Sequence, residues 1–93
     1  MNISLDFDGT YTEAPELWNR FIAQFRNAGH KVYCITMRKP EECADVESSL
    51  SNRVDAIHYT SREGKISYCL KHGLKVDVWI DDQPHFITGG ALI

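Results

Sequence analysis

Four aspartates lie at two places where an apolar run of the chain ends. Asp6 and Asp8 close the first such run, and Asp81 and Asp82 close the last. If both runs are strands of one parallel sheet, their carboxyl ends share an edge and the four carboxylates converge there. Each aspartate alone is typical of a strand end or turn, but so many like charges together would destabilise the fold without a dication. Mg²⁺ prefers oxygen ligands of this kind, so all four aspartates are predicted metal ligands.

An aspartate at such an edge can also attack a phosphoryl group, because the acyl phosphate that forms is reactive enough to be hydrolysed in a second step. Asp6 is the predicted nucleophile. Asp8, two residues later, is placed to protonate the leaving oxygen and then to deprotonate water. Gly9 allows the backbone to turn sharply and to approach the phosphate closely.

Further candidate phosphate ligands follow the other elements. Thr36 closes an apolar run, and its hydroxyl and the amide of Met37 can donate hydrogen bonds to phosphate oxygens. Lys65, near a predicted helix start, can bring positive charge to the same oxygens, although an ordinary solvated lysine would look alike in the sequence. Arg38 could bind the phosphate through its planar fork or lie in a surface loop.

The elements that must position these residues alternate along the chain. The predicted strands are Asn2 to Phe7, Lys31 to Thr36, Val54 to Tyr59 and Lys75 to Ile80. The predicted helices are Pro15 to Ala28, about Pro40 to Leu50, and a third from a side-chain cap at Thr60 or Ser61 to about His72. Phe86-Ile87 or Ala91 to Ile93 could add a small edge strand. This order predicts one α/β domain over residues 1–93, a Rossmann-like parallel sheet with helices on both faces.

The motif order resembles that of the haloacid dehalogenase (HAD) superfamily. Asp6 to Thr10 reads DFDGT and is similar to the DxDGT signature, while Thr36, Lys65 and the pair Asp81-Asp82 resemble the second, third and fourth motifs. The resemblance spans nearly the whole chain. It implies a Rossmann-like fold, Mg²⁺, Asp6 as nucleophile and Asp8 as acid/base, and therefore a magnesium-dependent phosphomonoesterase.

One departure from the family pattern concerns the cap domain that usually covers the site. Only Tyr11 to Ala14 separates the first motif from its helix, and no other gap can hold a cap. An open site of this kind favours a phosphate carried by something large or nucleotide-like, or a second subunit that covers the rim.

A non-catalytic or regulatory phosphate-binding module is the alternative function. Receiver domains also use Asp, Thr and Lys on such a sheet, but their phosphorylated aspartate follows the third strand, where this chain has Tyr59-Thr60. A degenerate HAD module would be expected to lose Asp6 or Asp8, and both are present.

The composition and the hydropathy of the chain limit its possible binding partners and its cellular location. The net charge of -3 and the pI of about 5.7 argue against non-specific nucleic-acid binding, although Arg38, Lys39 and Arg62 could form a local basic patch. The N-terminus lacks a signal-peptide pattern, and no apolar stretch is long enough to span a membrane, so a soluble cytoplasmic protein is predicted.

Cysteines and histidines give no sign of a second metal site. The three cysteines are widely spaced and lie in apolar patterns, which predicts reduced, packed thiols. None of the four histidines has zinc-ligand spacing, and only His85 lies beside the acidic pair.

Overall fold

The structure is a computed structural model that describes residues 1–89. Four strands run in chain order as β1 (Asn2–Leu5), β2 (Lys31–Thr36), β3 (Ala56–Tyr59) and β4 (Val78–Ile80). The α-helices are α1 (Pro15–Asn27), α2 (Ala44–Leu50), α3 (Lys65–His72) and α4 (His85–Thr88), and single 3₁₀ turns occupy Tyr11–Glu13 and Pro40–Glu42. No helix in this part of the chain is both long and apolar enough to cross a membrane.

The strands form one parallel sheet in the order β3-β2-β1-β4. Leu5 at the end of β1 pairs with Cys34 of β2 on one side and with Ile80 of β4 on the other. The chain moves from β1 towards β3 and then returns to add β4 at the opposite side of β1. The order therefore reverses between β1 and β4, and a crevice is expected beyond the carboxyl ends of these two strands.

Helices cover both faces of the sheet. Ile22 of α1 and Leu50 of α2 belong to the same buried core as Leu5 of the central strand. On the other face the ring of Tyr68 in α3 lies 6.0 Å from that of His58 in β3. The predicted α/β class, with four parallel strands and two layers of helices, is confirmed.

The start of α3 differs from the prediction. Ser61 and Arg62 have φ angles of 54° and 70°, in the left-handed region that a helix cannot use. The Thr60 hydroxyl donates to the carbonyl of Glu63 at 2.7 Å instead of capping helical amides. The predicted cap at Thr60 or Ser61 is therefore wrong, and α3 begins only at Lys65.

The proposed edge strand at Phe86-Ile87 is also wrong. This segment follows Pro84 and forms α4, in which the amide of Phe86 donates to the carbonyl of Gln83 at 2.9 Å. It packs against α3 and not beside β4. The other candidate, Ala91 to Ile93, lies outside the described residues.

Candidate active site

Asp6 is the first residue beyond the central strand, and it is buried with only 7% of its surface exposed. Its amide continues the ladder by donating to the carbonyl of Ile80 at 3.0 Å. Its side-chain Oδ1 accepts a hydrogen bond from Lys65 Nζ at 2.8 Å, and Oδ2 lies 3.3 Å from the hydroxyl of Thr10. The carboxylate is therefore held in one position at the edge of the sheet.

Lys65, the first residue of α3, is buried to 1% exposure. Besides Asp6, its ammonium donates to Asp81 Oδ2 at 2.5 Å. A buried ammonium is costly unless it is paired and hydrogen-bonded, and here two carboxylates meet that need. Lys65 is thus part of the acidic site and not a solvated surface lysine.

Three of the four predicted metal ligands come together. Carboxylate oxygens of Asp6, Asp81 and Asp82 lie within 4.8 Å of one another. Asp81 is fixed further by the amide of Gln83, which donates to its Oδ1 at 2.9 Å. With the Lys65 ammonium beside them, the three carboxylates retain two uncompensated negative charges when ionised. One divalent cation would neutralise this charge.

Burial sets the protonation of Asp6. Desolvation raises the pKa of its carboxyl from 3.8 to about 6, and Lys65 opposes this rise while the neighbouring Asp81 adds to it. The carboxyl is therefore mainly ionised at neutral pH, as a nucleophile must be.

Gly9 has a steric role that the sequence pattern did not reveal. Its φ angle is +81°, and a Cβ at this position would lie 2.5 Å from Oδ2 of Asp82. Its amide donates to the hydroxyl of Thr12 at 3.0 Å, so that N–H is already engaged. Thr10, the last residue of the DFDGT segment, donates from its hydroxyl to Asp82 Oδ1 at 3.0 Å. The DFDGT segment thereby shapes the acidic cluster.

Asp8 lies outside this cluster. Its side chain is 57% exposed, and its two oxygens accept hydrogen bonds from Arg38 Nε at 2.9 Å and from Arg38 Nη2 at 2.7 Å. Arg38 also donates to both carboxylate oxygens of Asp45 and to the carbonyl of Glu42. All five guanidinium N–H groups thus have an acceptor, and the hydrogen bonds that Arg38 donates to Asp8 and Asp45 raise its pKa.

Thr36 and Met37 lie on the same side of the site as Asp8. Thr36 is fully buried, and its hydroxyl lies 3.4 Å from the amide of Arg38. The carbonyl of Met37 accepts hydrogen bonds from the amide and the guanidinium of Arg62, at 2.8 and 3.0 Å. The loop after β2 is therefore tied to the loop that precedes α3.

A cavity of about 300 Å³ opens beside Asp6. It is lined by Asp6, Asp8, Thr36, Met37, Arg38, Arg62, Gln83 and Phe86. Lys65 and Gly9, both predicted to bind substrate, are not part of this wall, and neither is His85. Gln83 and Phe86 were missed by the sequence analysis, although both follow the acidic pair within a few residues.

No protein-family model, curated protein or solved structure matches this chain. The site is therefore defined by the positions of its own residues. Those positions combine a buried aspartate, a buried lysine, two further carboxylates and a cavity at the switch point of a parallel sheet.

Proposed function

We propose that this chain is a magnesium-dependent phosphomonoesterase of the HAD type that acts through an aspartyl phosphate on Asp6. One observation carries the proposal. The carboxylate of Asp6 is held by Lys65, lies within 4.8 Å of two further carboxylates, and also forms part of the wall of a cavity. The carboxylate of Asp6 is therefore the proposed nucleophile, a member of the proposed cation site and part of the cavity wall.

The donor set fits a hard dication. Asp6, Asp81 and Asp82 would hold Mg²⁺ through carboxylate oxygens. With the ammonium of Lys65 included, the ionised cluster has a net charge of minus two, which Mg²⁺ would neutralise. When bound, Mg²⁺ would screen the repulsion between Asp6 and the phosphate and stabilise charge on the phosphoryl oxygens. Asp8 lies outside the cluster, so its proposed role is that of the acid/base.

The proposed reaction has two steps. In the first, an oxygen of Asp6 bonds to phosphorus while the ester P–O bond breaks, and the leaving oxygen takes a proton from Asp8. In the second, Asp8 takes a proton from water, whose oxygen bonds to phosphorus while the bond to Asp6 breaks. Inorganic phosphate leaves, and Asp8 is again protonated for the next turnover.

This role for Asp8 requires its ion pair with Arg38 to open. Both Asp8 oxygens are occupied by that arginine, yet the Asp8 side chain is more than half exposed. Rotation of Asp8 therefore requires no repacking of the core. A substrate phosphate in the cavity would offer Arg38 replacement oxygens.

The direct experiment is hydrolysis of a simple aryl phosphate with and without Mg²⁺. We expect activity only with a dication, and Asp6→Asn should abolish it while leaving the circular dichroism spectrum unchanged. Glu16→Gln, an exposed carboxylate on α1, is the matched control and should retain full activity. Activity that survives Asp6→Asn would remove the covalent mechanism.

A non-catalytic phosphate-binding module is the second candidate. It is favoured by the Asp8–Arg38 pair, because a carboxylate with both oxygens bound by arginine is not free to transfer protons. Under this function the wild-type protein would bind phosphate analogues with Mg²⁺ but release no product, and Asp8→Asn would leave that binding unchanged.

The proposed enzyme would act in the cytoplasm, where free thiols such as those of Cys34 and Cys69 stay reduced. The expectation that a large substrate or a second copy of the chain covers the open rim stays a prediction. Size-exclusion chromatography with and without Mg²⁺ would test the second copy.

A further inference from the structure

The cavity beside Asp6 has two chemically different walls. Asp6, Asp8 and Thr36 form a polar part, where the phosphoryl group would lie, whereas Met37 and Phe86 form an apolar part. Most of the accessible wall is apolar. The part of a substrate that extends away from the phosphate would therefore meet mainly carbon and sulfur atoms.

The aromatic side of this wall is fixed by packing. Phe86 belongs to α4, which ends where Gly89 lies against Gly64 at the start of α3. The two backbones are so close that a Cβ on Gly64 would lie 2.4 Å from the Cα of Gly89. Phe86 lines the cavity and remains 37% exposed. The ring is thus presented to the cavity by a packed element.

The apolar part of this wall, Met37 and Phe86, offers no side-chain hydrogen-bond donor to a ligand. The donors of Arg38 are all engaged, and Arg62 already donates to the carbonyl of Met37 and to Glu42. A sugar with several hydroxyls would lose hydrogen bonds to water on entering and would find few replacements. A planar ring loses little by entering, and it gains contact with the ring of Phe86 and with the thioether of Met37.

We propose that the substrate is a phosphomonoester whose leaving group carries a planar ring, packed against Phe86 and Met37. The inference rests on the proposed function for the position of the phosphate. A volume of about 300 Å³ has room for one ring system with its phosphate and lies at the small end of ligand sites. Nucleoside monophosphates and simple aryl phosphates share this chemistry, and Phe86 is the residue that selects for it.

The test compares kcat/KM for four substrates: an aryl phosphate, a nucleoside 5′-monophosphate, glycerol phosphate and a hexose phosphate. The wild-type protein should favour the two ring-bearing substrates by about tenfold or more. Phe86→Ala should remove most of that preference while leaving the ring-less substrates within about twofold, and Phe86→Tyr should retain it. Leu70→Ala, an exposed apolar residue of α3 outside the cavity, is the matched control and should change nothing.

An equal loss for all four substrates in Phe86→Ala would mean a purely structural role and would overturn the inference. So would a wild-type preference for the hexose or glycerol phosphate. If the ring-bearing substrates are favoured, the ratio of kcat/KM for the aryl phosphate to kcat/KM for the nucleotide shows which of the two kinds of ring the site prefers.

Binding measurements separate this inference from the proposed function. Calorimetry on the wild-type protein with Mg²⁺ should show phenylphosphonate, which has no ester bond to hydrolyse, binding about tenfold more tightly than methylphosphonate, and Phe86→Ala should abolish the difference. If the wild-type protein binds the ring-bearing ligand selectively but turns over no substrate, the inferred ring-binding site is supported and the proposed hydrolase activity is wrong. Turnover with equal binding of both ligands, or no binding of either, would overturn the ring site.

Discussion

Lys65 controls the charge balance of the acidic cluster. It is the cation that contacts both Asp6 and Asp81, and it has almost no access to water. Removing one partner from a buried ion pair leaves the other charge uncompensated, which commonly costs about 3–5 kcal/mol. In Lys65→Met, three carboxylates would lie together without that ammonium.

We therefore expect Lys65→Met to lose about 3 kcal/mol or more of unfolding free energy in metal-free buffer, and to recover part of it when Mg²⁺ is added. Urea unfolding with EDTA and with Mg²⁺ measures both effects. Lys71→Met, a mostly exposed lysine of the same helix, is the control and should change stability little. Equal losses in the two variants would contradict the buried ion-pair network.

The raised pKa of Asp6 predicts an unusual pH dependence of stability. Between its unfolded value of 3.8 and its folded value of about 6, the folded protein holds the proton on Asp6 more tightly than the unfolded chain. The contribution of Asp6 to the unfolding free energy therefore falls as pH rises through this window and is constant above it. At neutral pH this shift of the Asp6 pKa lowers the unfolding free energy by roughly 3 kcal/mol.

Urea unfolding of wild type and Asp6→Asn from pH 4 to pH 8, without metal, measures this effect. The stability of Asp6→Asn relative to wild type should increase across the window. Carboxyls with lowered pKa, such as Asp45 and Asp77, act in the opposite sense but are common to both proteins. A pH-independent difference would show that Asp6 titrates normally.

At the scale of elements, the turn after β1 contacts both Asp6 and Asp82. Gly9 has a positive φ, and any side chain there would collide with the Asp82 carboxylate. Gly9→Ala should weaken Mg²⁺ binding in addition to costing roughly 1–3 kcal/mol for the strained backbone.

Gly29→Ala is a matched control for this turn. Gly29 has a similar φ of +92°, but nothing lies within 4 Å of a Cβ there. Both variants should lose stability, whereas only Gly9→Ala should lose Mg²⁺ affinity in calorimetric titrations. Equal Mg²⁺ affinity in the two variants would show that Asp82 is not a ligand.

At the scale of the whole molecule, the acidic cluster joins parts of the chain that are distant in sequence. Its members follow β1 and β4, the two strands that flank the switch point. A cation bound by all three carboxylates stabilises only the folded chain, by about 1.4 kcal/mol at ten times its Kd. Mg²⁺ should therefore raise the thermal midpoint of the intact protein.

The rise in thermal midpoint caused by Mg²⁺ should be reduced more in Asp81→Ala than in Asp82→Ala, because the Asp81 side chain is buried and fixed by Lys65 and the amide of Gln83. Thermal melts over a range of Mg²⁺ concentrations measure the response, with Glu16→Gln as control. An unchanged response in both aspartate variants would place the cation elsewhere.

Local pattern determined much of this protein. Apolar runs and helical spacing predicted the parallel α/β sheet, because strand and helix periods are set by neighbouring residues. The same runs end at Asp6, Thr36 and Asp81, so their position at one edge followed from topology. Lys65 was expected near a helix start, and it occupies the first position of α3.

Only the tertiary structure decided what these groups touch. Lys65 lies 59 residues from Asp6, and the pairing of Asp8 with Arg38 spans 30 residues, so neither has a local signature. The left-handed residues Ser61 and Arg62, which delay α3, are hydrogen-bonded to the loop after β2. Phe86 reaches the cavity because α4 packs on α3, a contact that depends on the close approach of two glycine backbones and not on any periodicity of the segment itself.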